Sequence, residues 1–193
     1  MNTPAHVIFG LAAFGKPGRP ELVAGAIAGA LLPDLSLYLL AGWHLFVLGT
    51  DPRIVFDELY FSEAWQTVFR VDNSFIVWGL LLAVAVGTRT RWAMALCGAA
   101  LLHLALDFPL HAGDGRAHFW PVSTWIFDSP FSYWDPAHHG AAIGAVEVAV
   151  SLGLCFWLWR RLRSVAMRGL ILVLALAEAA PTLMWMIFFS GQG

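Results

Sequence analysis

Long apolar runs constrain this chain more than any other feature of its sequence. A helix needs about 20 apolar residues to cross the hydrocarbon core of a membrane. Five runs are candidates for such helices: 21–48, 73–87, 92–110, 141–159 and 169–190. Of the 193 residues, 59% are hydrophobic and only 12% are charged, whereas a typical soluble domain has about 25% charged residues. The sequence therefore predicts an all-α, polytopic membrane bundle.

A sixth apolar run, 4–14, is too short to cross the membrane alone. We predict that it forms a short, tilted or partly inserted first helix. It lacks a basic n-region and a clear small-residue cleavage site, so a signal peptide is not expected. With no internal repeat, residues 1–193 are predicted to form a single integral membrane domain of about six segments. The net charge of −2 gives no reason to expect nucleic acid as a partner.

The basic residues predict how the segments are oriented, because cytoplasmic loops are enriched in Lys and Arg. If all six segments cross the membrane, eight basic residues share one side: Lys16, Arg19, Arg89, Arg91, Arg160, Arg161, Arg163 and Arg168. The opposite side then receives the loops 49–72 and 111–140. We therefore expect a multi-pass membrane protein with its basic loops in the cytoplasm and a His-, Trp- and Pro-rich cap loop on the outer side.

Acidic residues inside the apolar runs are the clearest indication of function. An ionised side chain at mid-bilayer costs about 3 kcal/mol on insertion scales. Four acids lie in runs that contain no Lys or Arg: Asp34, Asp107, Glu147 and Glu178. Their charge must be balanced by protonation, by histidine partners or by a bound cation. We expect Glu178 to lie outside the functional site.

A histidine and an aspartate on one helix face form the core of the predicted site. His103 and Asp107 are one turn apart, and such a pair either binds a divalent cation or forms a hydrogen-bonded dyad without metal. The predicted topology brings His6 and Asp34 to the same outer half of the membrane. We therefore predict that His6, Asp34, His103 and Asp107 converge on a metal ion.

The segment 118–140 carries further candidate ligands. Its prolines preclude a long helix, and its aromatic residues suit a membrane interface. We favour a lid that places ligands over the acids, and the alternative is an interfacial anchor. The candidate metal ligands of this loop are three histidines: His118, His138 and His139. The other candidates of the region are His111 and Asp135.

Three short motifs resemble YdjM-type inner-membrane proteins, which are described as membrane-bound metal-dependent hydrolases. The motifs are TPAHVIFG, GALLPDLSLYL, and LLHLALDFPLH followed by FWPVS. The resemblance implies a bacterial-type inner membrane as the location, and a site that contains His6, Asp34, His103 and Asp107.

One segment departs from the family pattern. The family usually has a His-rich segment at the start of the helix that precedes the HxxxD pair. This chain has Asp72 and Asn73 there, so either of these residues is a candidate replacement oxygen ligand.

The resemblance implies a hydrolase, and the residues suggest a mechanism. One or two divalent ions, Zn²⁺ in preference to Mg²⁺ or Mn²⁺, would activate water and polarise the scissile group. Glu147 would accept the proton of the activated water, and Asp107 would be the second catalytic residue. The predicted partners are membrane lipids and an amphiphilic phosphoester or another lipid-linked substrate at the outer face. The alternatives are non-enzymatic binding or transport of a metal ion or proton, and a membrane assembly factor.

Overall fold

The computed structural model describes residues 1–189, with side chains for residues 1–180, and most of these residues are helical. No β-strand occurs among these residues. The α-helices are α1 (Thr3–Phe14), α2 (Pro20–Gly42), α3 (Glu63–Asp72), α4 (Phe75–Gly87), α5 (Arg91–Asp107), α6 (Gly140–Arg161) and α7 (Val165–Phe189). Two short π-helical segments, Trp43–Val47 and Ile54–Leu59, lie between α2 and α3.

Helices α2 and α5 form the central pair of the bundle, and two glycines allow their close approach. Gly25 and Gly29 lie one turn apart on α2 and face the α5 backbone. A Cβ atom on Gly29 would lie 2.0 Å from the carbonyl oxygen of Leu96. Small residues at such a crossing let two membrane helices pack backbone to backbone. This contact places Asp34, later on α2, beside the C-terminal half of α5.

The exterior of the bundle is apolar. Large side chains on α2, α4, α6 and α7 are more than half exposed, among them Leu39, Leu80, Val84, Phe156 and Val173. Among the described residues, three helical stretches are long and apolar enough to span a membrane: Pro20–Val47, Glu63–Gly87 and Gly140–Arg161. Apolar side chains that cover several neighbouring helices match a hydrocarbon environment better than water. The chain is therefore a helical membrane protein.

The predicted six crossings are reproduced only in part. Runs 21–48 and 141–159 fall in two of the three candidate spans, and run 73–87 forms the second half of the third. Run 92–110 folds as the 17-residue α5, and the first run folds as the 12-residue α1. Run 169–190 is helical up to residue 189, and residue 190 lies outside the described residues.

The prediction that 49–72 is a loop was wrong. This stretch contains the π-helical segment and the ten-residue α3. Ser62 begins α3, because its side chain accepts a hydrogen bond from the Trp65 amide as an N-cap. Trp65 and Phe69 are four residues apart and lie on the same face of α3. This face is buried against the C-terminal end of α2. The helical periodicity of these two aromatics was the sequence signal for this element.

The cap loop, residues 108–139, is ordered by contacts with the ends of α4 and α5. The Ser129 amide donates to the His111 carbonyl at 3.2 Å, and the Phe75 amide donates to the His118 carbonyl at 2.8 Å. Phe108 stacks on Phe127 with ring centroids 4.9 Å apart. The loop therefore covers the end of the bundle at which α5 ends and α1 and α6 begin.

Candidate metal centre

Four side chains from three helices converge at the covered end of the bundle. They are His6 on α1, Asp34 on α2, and His103 and Asp107 on α5, and each offers one ligand atom within 4.8 Å of all the others. His6, His103 and Asp107 are buried, and Asp34 is half-buried. This cluster could hold a metal ion.

Three distances within the cluster are close to those between atoms that share a small cation. His6 Nε2 lies 3.0 Å from Asp107 Oδ1. His103 Nε2 lies 3.4 Å from Asp107 Oδ2 and 3.6 Å from Asp34 Oδ2. Two ligands at about 2.1 Å from a tetrahedral ion are separated by about 3.4 Å. The amino nitrogen of Met1 also contacts Asp107.

The surroundings of the two His103 ring nitrogens show which of them is free to bind a cation. Its Nδ1 lies 2.8 Å from the carbonyl oxygen of Ala30, and a carbonyl only accepts, so Nδ1 carries a proton. Such a second hydrogen bond is typical of metal-binding histidines. Nε2 has no hydrogen-bond partner among the described residues and faces carboxylate oxygens. In a neutral ring that atom carries a lone pair, so this arrangement requires either a second proton or a cation between Nε2 and the carboxylates.

His6 supports the same interpretation. Its ring stacks on His103, with centroids 3.6 Å apart and planes 14° from parallel. His6 Nδ1 has no hydrogen-bond partner among the described residues, and the polar neighbour of its Nε2 is the Asp107 carboxylate, although the ring is buried. Buried polar atoms are rarely left unsatisfied, and two stacked imidazolium rings would repel each other. Neutral rings that bind a cation through Nε2 avoid the repulsion between the rings.

Arg116, from the cap loop, is the site residue that the sequence did not predict. It is 7% exposed, and its guanidinium lies 3.2 Å from Asp34 Oδ1 and above the Phe69 ring. Burial alone would lower the pKa of Arg116, but Tyr60 and Asp34 raise it, so the side chain stays cationic. The expectation that no basic residue neutralises the acids of the apolar runs was therefore wrong for Asp34. Arg116 is the one basic residue of segment 111–140, which was the only signal available.

His111 links the cluster to a second acid. Its Nε2 lies 3.5 Å from Asp107 Oδ2, and its Nδ1 lies 3.1 Å from Asp114 Oδ1. Burial by itself would lower the pKa of His111, but the two carboxylates together raise it. Burial alone would raise the pKa of the Asp114 carboxyl, but the neighbouring His111 outweighs burial and lowers that pKa. His111 is thus held between two carboxylates, one of which belongs to the cluster.

A cavity of about 420 Å³ opens beside the cluster. Its polar lining includes both aspartates of the cluster and three residues of the cap loop: Asp34, Asp107, His111, Asp114 and Arg116. Aromatic side chains complete the walls: Tyr38, Tyr60, Tyr133 and Trp134. A molecule that enters this cavity would reach the two aspartates of the cluster and His111 together.

The structure does not bring the three loop histidines to the cluster. His118 is buried against Phe75 and Phe108, and its Nδ1 donates to the Arg116 carbonyl at 2.8 Å. Burial is the largest of the influences that lower the pKa of His118, to about 4. This histidine is part of the aromatic packing of the cap loop, which gives it a structural role.

His138 and His139 lie at the far edge of the cap loop. His138 pairs with Asp135 at 2.7 Å, and its side chain is 45% exposed. His139 has a φ of 65° and immediately precedes α6. The parts of the loop that line the cavity are residues 111–116 and 133–134, so any lid is formed by these residues.

Asp72 and Asn73 also lie outside the cluster. The Asn73 side chain donates to the Pro33 carbonyl at 2.9 Å, one residue before Asp34. The backbone oxygen of Asp72 accepts from the Trp78 indole. Asn73 therefore positions the α2 segment that carries Asp34 and is not placed to be a ligand.

Glu147 is separated from the cavity by the first residues of the chain. Its Oε1 accepts a hydrogen bond of 2.7 Å from the Asn2 amide. It lines a different space, an apolar groove between α1 and α6. Glu178 is buried beside Glu147. The two acids form a pair of their own behind α1.

Comparisons with protein-family models, with curated proteins and with solved structures found no match for this chain. The resemblance to YdjM-type proteins therefore stays a prediction based on short motifs. The function is inferred below from the chemistry of the residues.

Proposed function

We propose that this chain is a membrane-embedded, metal-dependent hydrolase that acts on a phosphoester or another lipid-linked substrate. One observation carries the proposal: a buried two-histidine, two-aspartate cluster borders a polar cavity that a substrate can enter. Mixed nitrogen and oxygen donors suit Zn²⁺, and Mn²⁺ or Mg²⁺ are the alternatives. A bound divalent ion would supply Lewis-acid polarisation and a lower pKa for water.

The protein residues around the cavity have distinct tasks in this proposal. His6, Asp34, His103 and Asp107 hold the ion. His111 lies 3.5 Å from Asp107 and lines the cavity, so it is placed to accept or return a proton. This geometry favours His111 over Glu147 as the proton acceptor, because Glu147 lies behind Asn2.

Arg116 is the group that suits an anionic substrate. It lines the cavity, and its guanidinium is fixed by Asp34 and Phe69. A planar guanidinium offers several donors to phosphate oxygens. Its positive charge next to the cluster favours a phosphoester over a neutral ester.

An apolar groove supports an amphiphilic substrate. The groove has a volume of about 390 Å³ and is lined by Phe9, Leu110, Ile143, Val146 and Val150, among others. Met1 lines both this groove and the polar cavity. A lipid could therefore place its head group in the cavity and one acyl chain in the groove. We further propose that this end of the bundle faces the outside of a bacterial inner membrane.

The experiment starts with metal analysis of the purified chain, followed by assays on a long-chain phosphatidate and on a water-soluble phosphomonoester. We expect about one divalent ion per chain and hydrolysis that chelators abolish. Asp107→Asn should lose both metal and activity, whereas Asp135→Asn, an acid outside the cluster, should keep both. Val146→Trp, which fills the groove, should slow hydrolysis of the long-chain substrate only. A protein without metal and without hydrolysis would overturn the proposal.

A second function, metal binding without catalysis, has one observation in its favour. The cluster already supplies four protein ligands, and four ligands fill the tetrahedral shell of a structural zinc site. Metal retained at about one ion per chain, with no hydrolysis of any phosphoester or lipid, would favour this function. Water exchange at the bound ion, measured with Mn²⁺ by relaxation, would separate a closed site from one open to the cavity.

A further inference from the structure

A second cavity lies at the opposite end of the bundle, and its lining is basic. It has a volume of about 650 Å³ and is formed by the α1–α2 turn and the α6–α7 turn. Four cationic side chains line it: Lys16, Arg19, Arg161 and Arg163. His6 lies eight residues before Phe14, the last residue of α1, so about 12 Å of helix, at about 1.5 Å per residue, separates the cluster from this cavity. The cavity is therefore independent of the proposed active site.

The cavity has an apolar floor under this basic rim. Val23, Ala24 and Ile27 on α2 and Met167 on α7 form the floor. No acidic residue lines the cavity among the described residues. The nearest acid in sequence is Glu21, whose carboxylate lies 3.7 Å from Arg19 at the exposed surface. Arg19 is the one cation of this rim with an acidic partner among the described residues, so the cavity combines positive charge with an apolar floor.

The basic side chains are partly fixed in place. The Arg161 guanidinium donates to the Ala12 carbonyl at 3.3 Å and lies 4.6 Å from the centroid of the Trp157 ring. Between Lys16 and Arg19 the chain makes a tight turn in which Gly18 has a φ of 69°. An arginine that is already held loses less side-chain entropy when it binds an anion.

Two helix N-termini add to the positive potential. Pro20 begins α2 and Val165 begins α7, and both follow residues that line the cavity. The partial positive charge of a helix dipole lies at its N-terminus. The tendency of Lys and Arg to occupy cytoplasmic loops accounts for the basic residues, but it predicts neither a cavity nor an apolar floor.

We propose that this cavity binds an anionic phospholipid, with the phosphate between the basic residues and an acyl chain along the floor. Its volume is within the roughly 300–1,000 Å³ range of small-molecule sites, and basic pockets between membrane helices are the usual sites for acidic head groups. A phosphate without acyl chains leaves the floor uncovered, so the occupant is a lipid and not a free ion.

The test is a lipid titration of the full chain by native mass spectrometry in a neutral detergent. Phosphatidylglycerol should bind at one saturable site, and phosphatidylcholine with the same acyl chains should bind at least about tenfold more weakly. The variant Lys16→Gln/Arg163→Gln removes two exposed cations from the rim and should weaken phosphatidylglycerol binding about thirtyfold. The variant Arg91→Gln removes an exposed cation outside the cavity and should bind like the wild type.

Three outcomes would overturn the proposal. Equal binding of both lipids would show an apolar groove without head-group recognition. Equal weakening by Arg91→Gln would show a general charge effect. Competition by inorganic phosphate at the concentration of the lipid would show an ion site. Thermal unfolding in phosphatidylcholine, together with the metal content, checks that each variant is folded, and Lys16→Gln alone replaces the double variant if the latter is not.

Discussion

His103 Nδ1 lies 2.8 Å from the carbonyl oxygen of Ala30, so the backbone of α2 orients a ligand on α5. The same helix carries Asp34, whose Oδ2 lies 3.6 Å from the other nitrogen of that ring. The α2–α5 contact therefore sets both the position and the tautomer of the histidine at the centre of the cluster.

We expect a metal ion to stabilise the folded chain through this cluster. A ligand that binds only the folded state adds about 4 kcal/mol at a thousandfold excess over its Kd. Chelation should lower the thermal midpoint in detergent, and Zn²⁺ should restore it. Because histidine binds metal only when neutral, the restoration should fade as the pH falls below about 6. Asp107→Asn should abolish the response, and Glu178→Gln should retain it. Identical midpoints with metal and with chelator for the wild type would contradict this prediction.

The buried pair of Arg116 and Asp34 should be strongly coupled. Removing one member leaves an uncompensated charge in a poorly solvated site, so the effects of Arg116→Gln and Asp34→Asn should not add. A double-mutant cycle of unfolding free energies, measured with chelator, should give a coupling of about 1–3 kcal/mol.

The exposed pair of Arg70 and Glu63, also at hydrogen-bond distance, is the matched control for this cycle. Its coupling should stay below about 1 kcal/mol, because solvent screens exposed ion pairs. Equal couplings in the two pairs would show that Arg116 is not part of a desolvated site.

The glycine contact between α2 and α5 should tolerate no side chain. Gly29→Ala would place a methyl group 2.0 Å from the Leu96 carbonyl oxygen, and overpacking of this kind costs about 1–3 kcal/mol. Gly79→Ala on α4, which meets nothing within 4 Å, should be neutral or slightly stabilising. Thermal unfolding and metal content measured together should show that only Gly29→Ala loses both, since the contact positions His103 and Asp34.

His118 should make stability depend on pH in a defined window. Its pKa is lowered from 6.5 to about 4, so the unfolded chain binds the proton more readily than the folded chain does. The contribution is fully present above about pH 6.5 and is lost as the pH falls towards 4, by about 3 kcal/mol in total. The measurement is unfolding against pH with chelator present, which removes competition between protons and metal. His118→Phe should flatten this part of the profile, whereas His138→Gln, at an exposed histidine, should leave it unchanged.

The two ends of the bundle should label from opposite sides of the membrane. Single cysteines at Arg160→Cys and His138→Cys mark the basic end and the cap loop, and the native Cys97 and Cys155 are buried. An impermeant thiol reagent added to intact cells should modify His138→Cys, and should modify Arg160→Cys only after permeabilisation. Labelling of both cysteines in intact cells would contradict the predicted topology.

The sequence by itself determined the class of fold and the candidate ligands on the helices. Apolar runs of membrane length fold as helices, because the backbone in hydrocarbon must satisfy its hydrogen bonds within the segment. Acids inside such runs are costly, so Asp34 and Asp107 stand out without a structure. The spacing of His103 and Asp107 follows from the helical period, which is a local property.

Only the tertiary structure decided which polar residues meet. Arg116 contacts Asp34, which lies 82 residues earlier in the chain, and no local sequence pattern predicts that contact. The sequence did not distinguish three candidate ligands of the cap loop: His118, His138 and His139. In the structure, aromatic rings bury His118, whereas His138 and His139 lie at the edge of the loop. Helix α3 was missed because it is amphipathic and too polar to be recognised as a membrane segment, although Trp65 and Phe69 have helical spacing. Which side chains share a cavity depends on how helices cross, and here the glycines of α2 set that crossing.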